Sequence, residues 1–413
     1  MNYVLLGESE TLPLLLDAIG QSDSKLLAAA CCDKMRDAVT SSNPETHIVD
    51  QWEDLLSLND IDAVIVAGAA DEVLAAARQF ATNERPLILL PDVGARSVFT
   101  YELSLIRDDT GVKLIPAFAA RSHPAVLEFQ RRVGEDSIGK PLQIRFDRIV
   151  DRSTADGPPV FSVPEIDARL LADADLIRLL GGEYNQVTAI RTGRTDDGAA
   201  TANVTLAGDN VPEAVWTLNS GPENGWSVTV IGEKGRLTLT GNGFSNLQID
   251  DARIECTDAQ LGAAWLADLD AALDAPAPVD EKTRTSTASL TDLTRVFEIV
   301  DGSHESVRRR RTIDLYFETT SERNLFKTQM AAMGCLVLTW TLLGMVGFLI
   351  AGTLISGPTG DSPGSPDSTA ELSAFEYWMW HVLRIVWIAP LVIFSIAQVL
   401  LVLARPAQKV DEV

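Results

Sequence analysis

At 413 residues, 46% of them hydrophobic, the chain is long enough for two globular domains and an appendage. A formal net charge of −24 excludes nucleic acid as a partner, because phosphate neutralisation needs Lys and Arg in excess. It also disfavours broad adhesion of the soluble part to an anionic membrane surface, and solvation is the simplest reading of so many carboxylates.

The opening stretch, Met1 to Glu8, lacks a basic n-region and carries too short an apolar run for a signal peptide. Tyr3-Val4-Leu5-Leu6 predicts a short buried strand and Thr11 to Ile19 a helix. Strands follow at Leu26 to Cys32, Ile61 to Ala67, Pro86 to Leu90 and Val112 to Pro116, with a helix containing Trp52, Leu55 and Leu56 before the third. Strands alternating with helices predict a doubly wound parallel sheet. The four cysteines, Cys31, Cys32, Cys256 and Cys335, form no CxxC or Cys/His spacing. No metal is therefore expected, and the thiols read as small buried hydrophobes of a reducing compartment, Cys31 and Cys32 on opposite faces of their strand.

After Gly139 the texture changes. Leu142 to Val150 reads as a strand and Asp167 to Leu180 as a helix. Alternating segments follow at Gln186–Arg191, Ala202–Leu206, Ala214–Leu218, Ser227–Ile231 and Arg236–Thr240, with turns rich in Asp, Asn and Gly. These predict an α+β domain with a mostly antiparallel, hairpin-built open sheet. Ala272 to Val279 reads as a loop, and Leu290 to Val300 as the last helix of the soluble part.

The order of segments over residues 2 to 315 resembles the glucose–fructose oxidoreductase / inositol dehydrogenase (Gfo/Idh/MocA) family. The matching stretches are Asp62-Ala63-Val64-Ile65-Val66, Ser137-Ile138-Gly139-Lys140-Pro141, Asp175-Leu176-Ile177-Arg178-Leu179-Leu180-Gly181-Gly182 and Ile231-Gly232-Glu233-Lys234-Gly235. The resemblance implies an N-terminal Rossmann-like domain that binds NAD or NADP. It also implies a second domain that holds a sugar or polyol and self-associates through its sheet.

The residues depart from that pattern at three places. A dinucleotide loop wants G-x-G-x-x-G, and here Gly7-Glu8-Ser9-Glu10-Thr11-Leu12 keeps only Gly7, with Ser9 at the second glycine position. Glu8 and Glu10 also put carboxylates where a pyrophosphate would lie. Asp33 stands at the ribose-binding position, or is an exposed strand-end aspartate. The family's catalytic lysine falls in Leu89 to Gly94, which has none, and its Asp/His pair falls on Ala168 and Ala172. Asp167 and Asp173 lie next to those positions, but one residue turns a helical side chain by about 100°. Hydride transfer requires a base, and Asp92 and His123 are the candidate substitutes, each with a non-catalytic alternative.

The chain end reads as membrane. Residues 330–355 and 385–404 are uncharged, at or above the roughly 20 residues a helix needs to cross hydrocarbon. Tyr377, Trp378, Trp380 and Trp387 cluster as an interfacial belt would. Arg308 to Arg311, Arg323, Lys327, Arg405 and Lys409 flank the pair, whereas segment 357–376 between the blocks carries only acids, with His381 and Arg384 at the edge of the second block. The positive-inside rule places both termini and the soluble domains in the cytoplasm and loop 356–384 outside. The Arg308–Arg311 run either solvates the end of the fold or meets anionic lipid.

The predicted organisation is thus a Rossmann-like domain over 1–135 and an α+β domain over 136–318. A linker over 319–329, a helical hairpin over 330–404 and a tail over 405–413 complete it. The functional expectation is a non-catalytic binding or scaffold module, possessing the oxidoreductase fold with eroded cofactor and catalytic motifs. The alternative is an active NAD(P)-dependent enzyme acting on a sugar, polyol or sugar derivative at the membrane.

Overall fold

The computed structural model describes residues 1–58, 60–135, 137–152, 160–193, 198–244, 246–250, 252–275, 287–315 and 339–347. Two units divide the chain, Met1–Phe317 and Glu318–Val413.

Uninterrupted apolar runs form the first sheet because both of its faces are covered. Strands β1 (Asn2–Gly7), β2 (Lys25–Ala30), β3 (His47–Ile48), β4 (Ala63–Ala67), β5 (Leu87–Leu89) and β6 (Leu114–Pro116) are all parallel, in the order 3-2-1-4-5-6. That is the doubly wound dinucleotide-binding order, whose ligand crevice opens beyond the carboxyl ends of β1 and β4. Helices α1 (Leu12–Gly20), α2 (Arg36–Ser42), α3 (Asp71–Thr82), α4 (Arg96–Thr110) and α5 (Pro124–Gly134) make the connections. Strand β2 stops at Ala30, and Cys31 turns out of it at φ 55°, so the two cysteines do not flank a strand. The segment around Trp52 is a short 3-10 helix, Trp52–Ser57.

The second sheet has nine strands. Strand β7 (Pro141–Asp151) is central, flanked by β12 (Glu213–Gly221) and β13 (Gly225–Gly232). Strands β9 (Gln186–Thr192), β11 (Thr201–Ala207), β14 (Arg236–Gly241), β15 (Asn246–Ile249), β16 (Ala252–Glu255) and β17 (Ile313–Asp314) complete it, and β8 (Phe161–Ser162) pairs with β10 (Gly198–Ala199) apart from it. The β7–β12 pair is parallel, so the hairpin expectation fails at the sheet's centre, where a crossover rather than a turn joins the strands. Alternation holds elsewhere: Ala202, Val204 and Leu206 are buried, whereas Thr201, Asn203 and Thr205 are not.

Helix α6 (Val163–Gly181) lies on the buried face, beside α8 (Leu290–Arg309). Between β16 and α8 the chain forms α7 (Asp258–Asp274), started by a Thr257/Gln260 capping box. Ala272–Asp274 belong to this helix rather than to a loop. It packs on α1, where a Cβ at Gly262 would stand 2.7 Å from the Leu14 carbonyl oxygen. The buried Tyr3 hydroxyl donates to Asp270, and Lys113 Nζ donates to the Ala275 carbonyl at 2.7 Å. Sequence from the second sheet thus seals the first.

In the second unit residues 339–347 are helical, with Trp340, Leu342, Leu343 and Met345 exposed. Among the described residues no helix is long and apolar enough to cross a membrane. The rest of block 330–355 and all of block 385–404 lie outside the described residues, as does Cys335.

Candidate functional site

Three loops meet at the crevice. Gly7 ends β1 at φ 86°, and a Cβ there would lie 1.9 Å from the Ala67 carbonyl oxygen. Its lack of a side chain is therefore required by the approach of β1 to the end of β4, whatever the crevice holds. Ser9 is partly exposed, its hydroxyl 3.3 Å from that of Thr11.

A helix N-terminus ordinarily offers four free backbone donors to an anion, here those of Thr11, Leu12, Pro13 and Leu14. The Leu12 N–H is turned back onto the Ser9 carbonyl at 3.1 Å, and Pro13 has no N–H to give. Pro13 is a deficit that the glycine pattern does not register, although it is legible in the sequence.

Glu8 completes the change. Its Oε2 accepts the Lys34 backbone N–H at 3.0 Å and its Oε1 pairs with Lys34 Nζ at 3.0 Å. The carboxylate therefore ties the β1–α1 loop to the turn after β2, the two sides between which a dinucleotide would lie. Asp33, the candidate ribose ligand, sits in that turn with its side chain 93% exposed, 3.4 Å from Arg36. Negative potential gathers at the same corner. Burial first, then the carboxylates of Glu72, Asp33 and Glu53, push the Cys31 thiol up.

The catalytic positions are equally altered. Asp92, just past β5, accepts the Gly94 N–H at 2.9 Å on its side chain and the Ala95 N–H at 3.1 Å on its carbonyl, a local turn leading into α4. On α6 the exposed residues are Pro164, Ala168 and Ala172, a single stripe at i, i+4 and i+8. Where the resemblance calls for an Asp and a His, the solvent-facing stripe carries methyl groups. Asp167 and Asp173 are buried behind it. The first binds Arg191 at 3.1 Å and His304 at 2.6 Å; the second binds Arg148 Nε at 2.7 Å and the Trp216 indole N–H at 2.8 Å.

His123 is fully buried, and its Nδ1 accepts the Ala125 N–H at 3.0 Å as the cap of α5. That bond puts the ring proton on Nε2. Burial pushes the imidazole down, offset in part by the Phe244 carbonyl, so the ring is neutral. A ring with no exposed surface cannot reach a substrate hydroxyl, and His123 is corrected from candidate base to helix cap. Its neighbours are structural too. Arg121 makes a two-pronged pair with Asp175, at 2.9 and 2.5 Å, with both side chains buried. Its Nη1 lies 3.5 Å from Asp292, which also meets Arg178 at 3.0 Å. Ser122 donates to Asp268 of α7 at 2.6 Å. The Arg121-Ser122-His123 stretch thus joins α5, α6, α7 and α8.

Among the described residues no group of three His, Cys, Asp or Glu side chains is placed to hold a metal ion. Asp33 is exposed and free to meet a ribose, whereas Glu8, paired with Lys34, and the donor-poor start of α1 do not fit a pyrophosphate.

No family model and no curated protein matches the chain by sequence. Solved structures do match by shape. They include a myo-inositol dehydrogenase from Corynebacterium glutamicum (15% identity, 76% of this chain and 99% of that one, TM-score 0.56). A scyllo-inositol dehydrogenase from Lactobacillus casei matches at 14% identity, 76% and 98% coverage and TM-score 0.58. An Agrobacterium radiobacter oxidoreductase, solved with NAD+, L-tartaric acid and magnesium, matches at 15%, 76% and 98% with TM-score 0.58. The chain shares the fold of these inositol dehydrogenases and oxidoreductases.

Proposed function

We propose that this chain is a membrane-anchored Gfo/Idh/MocA relative that works without hydride transfer, as a binding or scaffold module whose cofactor crevice is closed by its own side chains. The observation that carries this is the Glu8 carboxylate held by the Lys34 N–H and ammonium across the crevice mouth. A dinucleotide would have to break both contacts and then lay its pyrophosphate beside Glu8 and Glu10, over a helix end short of donors. The methyl-faced α6 stripe supports the same reading, since a bound polyol would find no acid–base pair there.

Anchoring rests on the two uncharged blocks, with both termini and the soluble part on the cytoplasmic side as their flanking charges predict. Self-association is supported by the uncovered face of the nine-stranded sheet. Ile149 and Ile190, on β7 and β9, are 41% and 57% exposed there. Thr, Asn and Gln recur over the rest of that face, with Arg145 and Asp147 on the central strand and Glu213 beside them on β12.

The alternative, an active NAD(P)-dependent oxidoreductase, draws on the structural neighbours, one of them solved with NAD+. Calorimetric titration of NAD, NADH, NADP and NADPH into the purified protein separates the two. The proposal expects no binding up to millimolar cofactor and no polyol oxidation. Micromolar binding with turnover would overturn it.

A further inference from the structure

The arginine run after residue 307 has no part in the crevice. Helix α8 ends at Arg309, and Arg310 caps it in the left-handed conformation (φ 54°, ψ 43°). Gly or Asn is favoured at such a cap, so the left-handed turn by itself does not call for an arginine there. Arg308 to Arg311 are all exposed. Glu305 receives both Arg308 and Arg309, and among the described residues Arg310 and Arg311 make no ion pair, although Arg311 also helps to hold the Glu305 carboxyl low. Some other surface arginines are matched by acids, as Arg131 is by Glu128 and Glu135 and Arg78 by Glu102, and those that are not, such as Arg96, Arg145 and Arg236, stand singly along the chain rather than in a run. In a chain of net charge −24 this helix end is a local cationic excess.

The run also lies close along the chain to the uncharged block. Strand β17 fixes Ile313 and Asp314 to β9, and Leu315 is buried. Met330, where the block begins, is fifteen residues further on. That distance is about 50 Å if extended and about 22 Å if helical. A tether of this length holds the arginines where they can meet the headgroup layer, while carboxylates elsewhere on the unit are repelled from it.

We propose that Arg308–Arg311 is a docking patch for an anionic phospholipid surface, its arginines binding headgroup phosphates and setting the cytoplasmic unit against the bilayer. The tether part of the argument rests on the anchoring reading above. A patch that serves only to complement the helix dipole would be indifferent to lipid charge.

The test uses the full chain in nanodiscs of phosphatidylcholine, alone or mixed with phosphatidylglycerol, with hydrogen exchange followed over residues 300–314. Carbonate extraction from vesicles reads anchoring separately. Exchange at the end of α8 should slow only with phosphatidylglycerol, and the effect should vanish in high salt. R310Q/R311Q, which breaks no ion pair of the fold, should lower the docked-to-undocked ratio about thirtyfold. Identical exchange in both lipids overturns the patch. If carbonate releases the chain, anchoring fails by itself. Flotation with phosphatidylglycerol vesicles then decides the patch: arginine-dependent flotation sustains it, and no flotation overturns it.

Discussion

Replacing His123 separates a structural imidazole from a catalytic one. The side chain is fully buried and caps α5 through Nδ1. In His123→Ala the cap is lost, at about 1 kcal/mol, and the void left by the ring costs about 2 kcal/mol more. For a unit of Met1–Phe317, the usual unfolding entropy per residue converts about 3 kcal/mol into a fall in Tm of roughly 4–5 °C. His123→Asn keeps a capping acceptor and should lose about 1 kcal/mol less. The pH dependence gives an independent check. Burial lowers the folded-state pKa of His123, so the unfolded chain binds the proton more readily. The stability that this ring contributes is complete above the ordinary histidine pKa and is lost as pH falls through the folded value. The wild-type protein should therefore lose more stability between pH 8 and pH 5 than His123→Asn does. Denaturant unfolding at both pH values reads the difference. Parallel pH profiles together with an unchanged stability for His123→Ala would refute the assignment, as would polyol turnover that His123→Ala abolishes.

Arg121→Met should destabilise by about 3–5 kcal/mol, because it strands the buried carboxylate of Asp175; adding Asp175→Leu should recover part of that loss in thermal unfolding. Glu298 on α8 is pushed up to about 7, chiefly by burial, with Asp301 adding to the rise and Arg295 and Arg178 opposing it. Its raised pKa makes the folded state favour the proton, so its contribution is full below the ordinary carboxylate range and is lost as pH rises through about 7. Glu298→Gln should thus gain about 1–2 kcal/mol at pH 8, after allowance for its partial exposure, and little at pH 5. Ala168→Asp/Ala172→His restores the resembled pair on an exposed stripe. It should change stability by less than about 0.5 kcal/mol and produce no polyol oxidation in a dehydrogenase assay, because the crevice remains closed.

The sheets were legible because apolar runs such as Ala63 to Ala67, and alternation such as Thr201 to Ala207, report burial directly. The parallel β7–β12 pair was not, since neighbouring strands joined by a long connection leave no local mark. Glu8 was legible as an acid in the wrong place, but its partner Lys34 is 26 residues away and no periodicity links them. His123 drew notice for its chemistry, whereas its role is set by burial under α5. The Asp167–His304 pair spans 137 residues, beyond any motif. Helix α7 was obscured because alanines at outward positions such as Ala259, Ala263, Ala267 and Ala271 blunt the contrast with its buried stripe of Leu261, Trp265, Leu266, Leu269 and Leu273.

The closed crevice is tested most directly by hydrogen exchange at the Lys34 amide and across residues 7–14, with and without millimolar NADH. A Lys34 N–H bonded to Glu8 should be protected in the free protein, and NADH should change neither segment. Fast exchange at Lys34, or protection of residues 7–14 on adding NADH, would show an open crevice that binds cofactor.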